Sequence, residues 1–332
     1  MFWSGVVLLF ASPLAVGCVF MYFVLSVWWR YVPRVLTIFQ TTPLFVVPRG
    51  LPVEGGEAVR FPSLDGRMLN GCYLKGQGAR RGVILFGLEF GSNCWSSQEY
   101  CTLLLESGYD VFAFEPRSQG DSDKEPGYEP LHWVTDFEVM DTRAAIAYLR
   151  GRPDADPFGV GFFGISKGAG AGLIAGADDP YVLCFVTDGV FGTLSTTVPY
   201  MRHFFRVYNK VFPKELLEDW FLAGLYYYCA WRIGRLRGCR YPSLERAMPR
   251  LAPRGLMMIH GECDTYIKTE MARSLLARAG GPKELWVVPE ARHNQALHVA
   301  GEGYTRRVLA FFDRHLAADT RAPAITAGPG GV

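Results

Sequence analysis

The stretch GVGFFGISKGAG, residues 159–170, decides the fold of this 332-residue chain. Its first half is an apolar run of the buried-strand type, and a helical pattern rich in alanine and glycine follows at 167–177. Between the two, Gly164 to Gly168 fits G-x-S-x-G, which places a serine on a sharp, exposed turn between strand and helix. A bare match also fits an ordinary turn serine, but the strand before it and the helix after it favour a catalytic residue. The sequence therefore predicts that Ser166 is a nucleophile.

Apolar runs of the same type recur on both sides of this unit. They lie at 82–86, 110–114, 182–186, 255–259 and 284–288, besides 158–163 itself. Helical patterns separate them, at 95–107, 133–150, 167–177, 268–280 and 302–317. Two short extended runs, 58–61 and 68–74, flank a Leu64-Asp65-Gly66 turn and predict an antiparallel pair at the start of the body. The alternation of strands and helices predicts an α/β fold with a mostly parallel sheet, covered by helices on both faces.

A serine nucleophile needs a general base, and the base needs an acid to orient it. Loops after later strands supply these groups in the chain order Ser, Asp, His. Asp264 follows the run 255–259, at the sheet edge where ligands of parallel sheets bind, and it is the predicted acid. Glu262 is the alternative in the same loop, and Asp188, after the preceding run, is a weaker one.

His293 is the predicted general base. It follows the run 284–288 in the sequence Ala291-Arg292-His293-Asn294. His298 is a near alternative, but it falls at or inside the last predicted helix, and the other four histidines have no such position after a strand. The predicted triad is therefore Ser166, Asp264 and His293.

With these residues the sequence resembles the α/β-hydrolase superfamily, in particular its serine-aminopeptidase-like and lipase-like members. The resemblance covers about residues 57–317. A further marker runs from Gly108-Tyr109-Asp110-Val111 to the stretch 115–122, EPRSQGDS, which looks like G-Y-x-V followed by D-x-R-G-x-G-x-S with two conservative departures. The resemblance implies an α/β-hydrolase fold with a helical cap, and acyl transfer chemistry that needs neither a metal nor an organic cofactor.

The loop after the run 82–86 departs from the family more sharply. Where the family usually has His-Gly, this chain has GLEFGS at 87–92. That loop normally donates one backbone N–H to the oxyanion, and the residue after the nucleophile donates the second. By alignment the first donor is the N–H of Glu89, with Leu88 next to it, and the second is the N–H of Lys167. Because a backbone donor does not depend on its side chain, the oxyanion hole is expected to be intact.

The sequence gives little support for binding of a dinucleotide, zinc or nucleic acid. Residues 159–164 also spell G-x-G-x-x-G, but the first glycines fall inside a strand that is not the first of the sheet, so a dinucleotide site is not predicted. The eight cysteines form no C-x-x-C pair, which argues against structural zinc. A net charge of +2 gives no reason to expect nucleic acid as a partner.

The N-terminal segment predicts a membrane anchor. No charged residue occurs from Phe2 to Trp29, and this run exceeds the roughly 20 residues that span a bilayer core. A cleaved signal peptide is the alternative, but nothing basic precedes the run. Arg30, Arg34 and Arg49 follow it, so the positive-inside rule places the rest of the chain in the cytoplasm. The expected division is an anchor at 1–30, an extended proline-containing stalk at 31–56, a catalytic domain at 57–317 and a disordered tail at 318–332.

An insertion at 191–254 interrupts the alternation and predicts a helical cap. It holds nine Arg and two Lys against three Glu and one Asp, a balance of +7, together with 13 aromatic residues. The plain interpretation is a lid whose aromatic residues pack on the sheet. The more specific interpretation is a lid that lines an acyl pocket and contacts anionic lipid headgroups.

The sequence as a whole predicts a membrane-anchored serine hydrolase that cleaves an acyl ester, with a small molecule or a lipid as substrate. One alternative is an aminopeptidase or amidase of the same fold. Another is a catalytically silent hydrolase fold that serves as a binding module at the membrane.

Overall fold

One sheet of eight strands organises the computed structural model, which describes residues 2–41, 49–208 and 218–317. The strands are β1 (Glu57–Pro62), β2 (Met68–Leu74), β3 (Gly82–Gly87), β4 (Tyr109–Phe114), β5 (Val160–Ile165), β6 (Val182–Asp188), β7 (Gly255–Gly261) and β8 (Lys283–Val288). The helices are α1 (Phe2–Gln40), α2 (Ser97–Glu106), α3 (Asp136–Gly151), α4 (Ser166–Ala177), α5 (Leu194–Tyr208), α6 (Asp219–Arg237), α7 (Leu244–Ala247), α8 (Thr269–Ala277), α9 (Ala296–Ala300) and α10 (Glu302–His315). The strand order β1-β2-β4-β3-β5-β6-β7-β8 puts β5 near the middle of the sheet.

The directions of the strands confirm the predicted α/β fold. Neighbours from β4 to β8 run parallel, while β2 is antiparallel to both β1 and β4. Strand β5 covers 160–165 rather than the predicted 158–163, because Gly159 adopts a φ of 133° and regular extended backbone begins only after it. Its last residue, Ile165, therefore directly precedes Ser166.

Helices bury both faces of the sheet. Phe162 and Phe185 belong to the apolar cluster that includes residues of α3, α4 and α8. Phe163 and Val186 belong to the cluster on the other face, with residues of α2 and α10. Successive residues alternate between the two clusters because side chains of a pleated strand point to opposite faces. Burial on both faces explains why β5 is a continuous apolar run.

The segment between β6 and β7 leaves the sheet and contains α5, α6 and α7. Residues of α5 and α6 form a third apolar cluster together with residues of α1. The described part of 191–254 contains helices and no strand. Residues 209–217 and the predicted tail 318–332 lie outside the described residues.

Helix α1 extends further than predicted. An extended stalk from residue 31 is wrong for 31–40, where the helix continues to Gln40. Four apolar residues at helical spacing explain the difference, since all four are buried in the cluster shared with α5 and α6: Tyr31, Val32, Val35 and Phe39. Pro33 lies within the helix, where Thr37 Oγ1 donates a hydrogen bond of 3.0 Å to its carbonyl oxygen. By length and composition, α1 is the one described helix that is apolar enough to cross a membrane, over Pro13–Thr37.

Candidate active site

Ser166 occupies a strained turn at the carboxyl edge of the sheet. It is the first residue of α4, immediately after β5, and its φ is 50°, an uncommon value for a residue other than glycine. Gly168 permits this turn, because a Cβ atom at that position would lie 2.2 Å from the carbonyl oxygen of Leu88. The bend after β5 thus places the serine on a sharp turn in the middle of the sheet edge.

The structure brings the three predicted triad residues together. Ser166 Oγ lies 3.0 Å from Nε2 of His293. Nδ1 of His293 lies 2.7 Å from Oδ2 of Asp264. The three residues follow β5, β8 and β7, whose carboxyl ends meet at one edge of the parallel sheet. A hydroxyl, an imidazole and a carboxylate in this order form the arrangement in which an imidazole can take the proton of the hydroxyl.

Asp264 is buried, yet its surroundings favour the ionised form. Its Oδ1 accepts hydrogen bonds from the backbone N–H groups of Tyr266, at 2.8 Å, and Ile267, at 2.9 Å. Burial opposes ionisation, but the hydrogen bond and the charge of His293, with these two N–H groups, hold the pKa of Asp264 below its usual value. Asp264 can therefore act as the negative partner of an imidazolium.

Asp188, the weaker alternative acid, has a different environment. It ends β6 and is 1% exposed. Tyr304 donates its hydroxyl to Oδ2 at 3.0 Å, while Oδ1 has no hydrogen-bond partner in the described part of the chain. Burial raises the pKa of Asp188 to about 7. Gly189 follows it with a φ of 64°, and its missing side chain leaves room for the His293 ring, since a Cβ atom there would be 3.2 Å from Cε1.

The other two alternatives, His298 and Glu262, are exposed. The side chain of His298 on α9 is 64% exposed and lies 3.7 Å from Glu99. Glu262 is exposed at the start of the loop that carries Asp264. The geometry thus favours His293 and Asp264 over the nearby residues of the same type.

The loop after β3 passes beside the triad. Glu89 Oε2 accepts a hydrogen bond of 2.8 Å from Asn294 Nδ2, one residue after His293. Burial raises the pKa of Glu89, although the amide of Asn294 and the charge of His293 act against this shift. The backbone of this loop also touches the first turn of α4, because a Cβ atom on Gly168 would contact the carbonyls of both Gly87 and Leu88. The two segments predicted to supply oxyanion donors are therefore adjacent.

Lys167, the second predicted oxyanion donor, uses its side chain in a buried ion pair. Its Nζ lies 2.7 Å from Oε1 of Glu138, and both side chains are at most 5% exposed. Glu138 also accepts hydrogen bonds from the Thr135 hydroxyl, at 2.6 Å, and from the Tyr128 hydroxyl. Burial lowers the pKa of Lys167, and for Glu138 the charge of Lys167 and these hydrogen bonds outweigh burial and lower the pKa. The pair ties the first turn of α4 to the start of α3.

Two tyrosines, one in the cap and one in the loop that carries Asp264, connect the cap to the triad. Tyr200 on α5 donates its hydroxyl to the carbonyl oxygen of Tyr266, in the loop that carries Asp264. The ring of Tyr266 lies 6.0 Å from the ring of His293, edge to face. Helix α5 thus borders the active site. Among the described residues, no group of three or more His, Cys, Asp or Glu side chains is arranged to hold a metal ion.

Sequence reasoning missed several residues of this site. A signal for Glu138 was present, since Thr135 and Glu138 fit the capping-box pattern that the structure contains at the start of α3. Asn294 and Tyr304 carried no such signal, because their partners are distant in the chain: 205 residues separate Asn294 from Glu89, and 116 separate Tyr304 from Asp188.

The chain resembles curated proteins over most of its length, although it matches no family model. Among curated proteins, the uncharacterised protein YfhR of Escherichia coli K12 is 24% identical over 302 residues, which cover 88% of this chain and 92% of YfhR.

Two solved structures resemble most of the chain. The esterase Pf2001 of Pyrococcus furiosus has a TM-score of 0.60 at 20% identity and covers 83% of this chain and 100% of its own. The α/β hydrolase GrgF of a Penicillium species has a TM-score of 0.60 at 18% identity and covers 80% of this chain and 99% of its own. At these identities the likeness establishes the architecture.

Proposed function

Starting from the α/β-hydrolase fold, we propose that this chain is a membrane-anchored serine hydrolase that cleaves acyl esters. One observation carries the proposal: the contacts from Ser166 Oγ to His293 Nε2 and from His293 Nδ1 to Asp264, at 3.0 and 2.7 Å. A nucleophile, a base and an orienting acid within hydrogen-bond reach of one another are the arrangement of covalent acyl transfer. A fold alone does not assign an activity, and this geometry supplies the additional support.

In the first half of the reaction, Oγ of Ser166 attacks the carbonyl carbon of the ester. His293 takes the hydroxyl proton on Nε2, and Asp264 stabilises the resulting imidazolium through Nδ1. When the tetrahedral intermediate collapses, Nε2 returns the proton to the leaving alkoxide and an alcohol departs. The acyl group remains on Ser166 as an ester.

In the second half, water replaces the alcohol. His293 takes a proton from water, and the hydroxide attacks the acyl carbon while the negative oxygen forms again. Collapse releases the carboxylic acid, and Ser166 regains its proton from Nε2. We expect the N–H groups of Glu89 and Lys167 to stabilise the oxyanion in both halves, and loss of one such donor typically costs about 10²–10³ in turnover. The contact of Gly168 with the loop after β3 supports this assignment.

The membrane anchor is proposed from α1. Residues 13–26 of this helix are mostly exposed and apolar, whereas Tyr31, Val32, Val35 and Phe39 pack on the cap. Arg30, Arg34 and Arg49 support a cytoplasmic location for the catalytic domain under the positive-inside rule. Protease added to sealed, right-side-out spheroplasts should then leave the domain intact, and digestion without permeabilisation would contradict this topology.

The preferred substrate is proposed to be a medium or long acyl ester presented by the membrane. A tethered domain has better access to lipids than to dilute soluble metabolites, and the aromatic residues of the cap offer apolar surface for an acyl chain. In vesicles that contain the full chain, hydrolysis of esters should rise with acyl length. Activity confined to short, soluble esters would contradict the lipid preference, and faster cleavage of aminoacyl amides than of esters would favour the peptidase alternative.

Covalent labelling by a fluorophosphonate tests the proposed mechanism. The probe reacts with an activated serine, so we expect labelling of the full chain and none of the Ser166→Ala variant. Ser274→Ala, which changes an exposed serine on α8, is the matched control and should label like the wild-type chain. Absence of labelling in the correctly folded wild-type chain would favour a silent binding module, and labelling of Ser166→Ala would place the nucleophile elsewhere.

A further inference from the structure

Helix α6 of the cap carries aromatic residues on an outward face that no other described element covers. Trp220, Tyr227 and Trp231 lie along one stripe of the helix, and their exposed fractions are 68%, 46% and 59%. Arg232 and Arg235 are exposed beside them. A helix that packs only against its own domain normally presents polar residues on its outer face.

The opposite face of α6 already holds the cap together. Leu222, Leu225, Cys229 and Ile233 are fully buried in the cluster with α1 and α5. These residues recur every three or four positions, as one face of a helix does. The buried face of α6 therefore stabilises the cap, and the outward aromatic residues do not contribute to this packing.

The contacts of α6 with α1 indicate how the two helices cross. Tyr228 lies 4.9 Å from Trp28, and Tyr226 lies 5.7 Å from Phe39, measured between ring centres. The two partners on α1 are separated by about 16 Å along its axis, but the two residues on α6 by only about 3 Å, at 1.5 Å of rise per residue. Helices that ran side by side would give equal separations. Helix α6 thus crosses α1 at a steep angle. If α1 lies along the membrane normal, the axis of α6 is closer to parallel with the membrane plane than to the normal.

The same contacts identify the flank of α6 that faces the membrane. Trp28 lies on α1 just after the exposed apolar segment 13–26. Tyr228 contacts the ring of Trp28. Trp231 lies 6.1 Å from Tyr228, and the guanidinium of Arg235 lies 5.8 Å from the centre of the Trp231 ring. Tyr228, Trp231 and Arg235 are therefore on the side of the proposed bilayer, and Tyr227 lies next to them on the helix.

The chemistry of this flank fits a lipid headgroup region. Tryptophan and tyrosine accumulate at membrane interfaces because one part of each ring system is apolar and another is polar. Other arginines of the insertion are engaged within the protein: Arg250 pairs with Asp178, and Arg254 donates to the carbonyl oxygens of Gly176 and Ala177. Arg232 and Arg235, in contrast, extend from the outward face, where they can contact lipid phosphates.

We propose that α6 is a second membrane contact, which lies along the surface of an anionic bilayer with Tyr227, Tyr228 and Trp231 in the headgroup region. The contact would hold the cap, and the active site that α5 borders, at the lipid surface. This inference rests on the membrane anchor of the proposed function.

Photocrosslinking to lipid tests the contact in the full chain. Leu25, Trp231 or Phe158 is replaced, one at a time, by the photoreactive residue p-benzoylphenylalanine, and each variant is reconstituted into vesicles of phosphatidylcholine and phosphatidylserine. The three positions are 58%, 59% and 57% exposed, so accessibility does not distinguish them. Leu25 reports on the anchor, Trp231 on α6, and Phe158 on the end of β5 opposite Ser166. We expect lipid adducts at 25 and 231 and none at 158.

Each other outcome overturns the contact. Adducts at 25 alone would show that α6 stays off the bilayer while the anchor stands, whereas no adduct at any position would overturn the anchor as well. Equal yields at 158 and 231 would indicate random collision with lipid. A protein adduct of twice the chain mass at 231, in place of lipid, would assign this face to a second copy of the chain.

A charge variant tests the anionic part of the proposal. Arg232→Gln with Arg235→Gln should lower the adduct yield at 231 in the mixed vesicles by about fivefold or more, since a basic residue near an anionic surface contributes about 1 kcal/mol. Arg306→Gln with Arg307→Gln, on α10, removes the same charge elsewhere and should leave the yield unchanged. Equal yields for both double variants, or for vesicles with and without phosphatidylserine, would overturn the role of anionic lipid.

Discussion

Two buried aspartates at the ends of neighbouring strands have opposite electrostatic character. Asp188 ends β6, and Asp264 follows β7, the next strand of the sheet. Burial raises the pKa of Asp188 to about 7, whereas the pKa of Asp264 is held below its usual value in spite of burial. The number of donors explains the difference: Asp264 accepts bonds from His293 and from two backbone N–H groups, while Asp188 accepts one from Tyr304.

The comparison shows that burial alone does not decide whether a carboxyl group can serve as the acid of a triad. A carboxylate that must stabilise an imidazolium has to be ionised before the imidazole takes a proton, so it needs donors already in place. The loop after β7 supplies them through the N–H groups of Tyr266 and Ile267. Asp188, at the end of β6, lacks these backbone donors.

The largest expected effect separates the two aspartates by activity. Asp264→Asn should lower turnover of an acyl ester by about 10⁴-fold at pH 8, because the amide favours the wrong tautomer of His293. Asp188→Asn should reduce turnover far less, since it removes no hydrogen bond to that ring. Steady-state rates of the two purified variants in the same detergent provide the measurement. Reversed effects would assign the orienting acid to Asp188.

A third buried carboxyl group extends the comparison to stability. Glu138 resembles Asp264 in its lowered pKa, and it owes this to Lys167, Thr135 and Tyr128. Lys167→Met should destabilise the chain by about 3–5 kcal/mol, because it leaves a buried charge without its partner. Adding Glu138→Leu should restore most of that loss. The free energy of unfolding in denaturant gives both values, and a double variant no more stable than Lys167→Met would refute the pairing argument.

The residues of the candidate triad could be predicted because their signals are local. Ser166 carries a sequence pattern, and Asp264 and His293 each follow an apolar run in the chain order that the architecture requires. The donors that distinguish Asp264 from Asp188 could not be predicted, because backbone N–H groups have no sequence signature. The helix at 31–40 could not be predicted from the sequence for another reason. Pro33 and the neighbouring prolines suggested extended chain, but packing of Tyr31 and Phe39 on the cap overrode this local preference.

The pH dependence of stability should have opposite signs for the two aspartates. Asp264, with a lowered pKa, stabilises the fold above about pH 4, and this contribution is lost as the pH falls. Asp188 binds its proton more tightly in the folded chain than in the unfolded chain, so stability declines as the pH rises from about 4 to about 7. The decline has an upper limit of about 4 kcal/mol, from 1.36 kcal/mol per pKa unit.

Asp188→Asn removes that titration and should therefore stabilise the chain more at pH 8 than at pH 5, relative to wild type. Thermal unfolding of both proteins at the two pH values measures the difference. Tyr304→Phe is the companion variant: it removes the hydroxyl that favours the charged form, so the decline should begin at the same pH and extend to higher pH. A pH-independent difference between Asp188→Asn and wild type would show that Asp188 is already ionised at pH 5.

The smallest expected effect concerns Glu262, which precedes Asp264 by two residues and has the same charge. Glu262→Gln should change turnover by less than about twofold, since the side chain is exposed and an exposed charge contributes little across solvent. Its comparison with Asp264→Asn matters because both variants remove one negative charge from the same loop. If proximity of charge to His293 were sufficient for catalysis, the two variants would lose comparable activity. A loss confined to Asp264→Asn, in parallel rate measurements over a range of salt concentrations, would instead tie catalysis to the direct hydrogen bond on Nδ1.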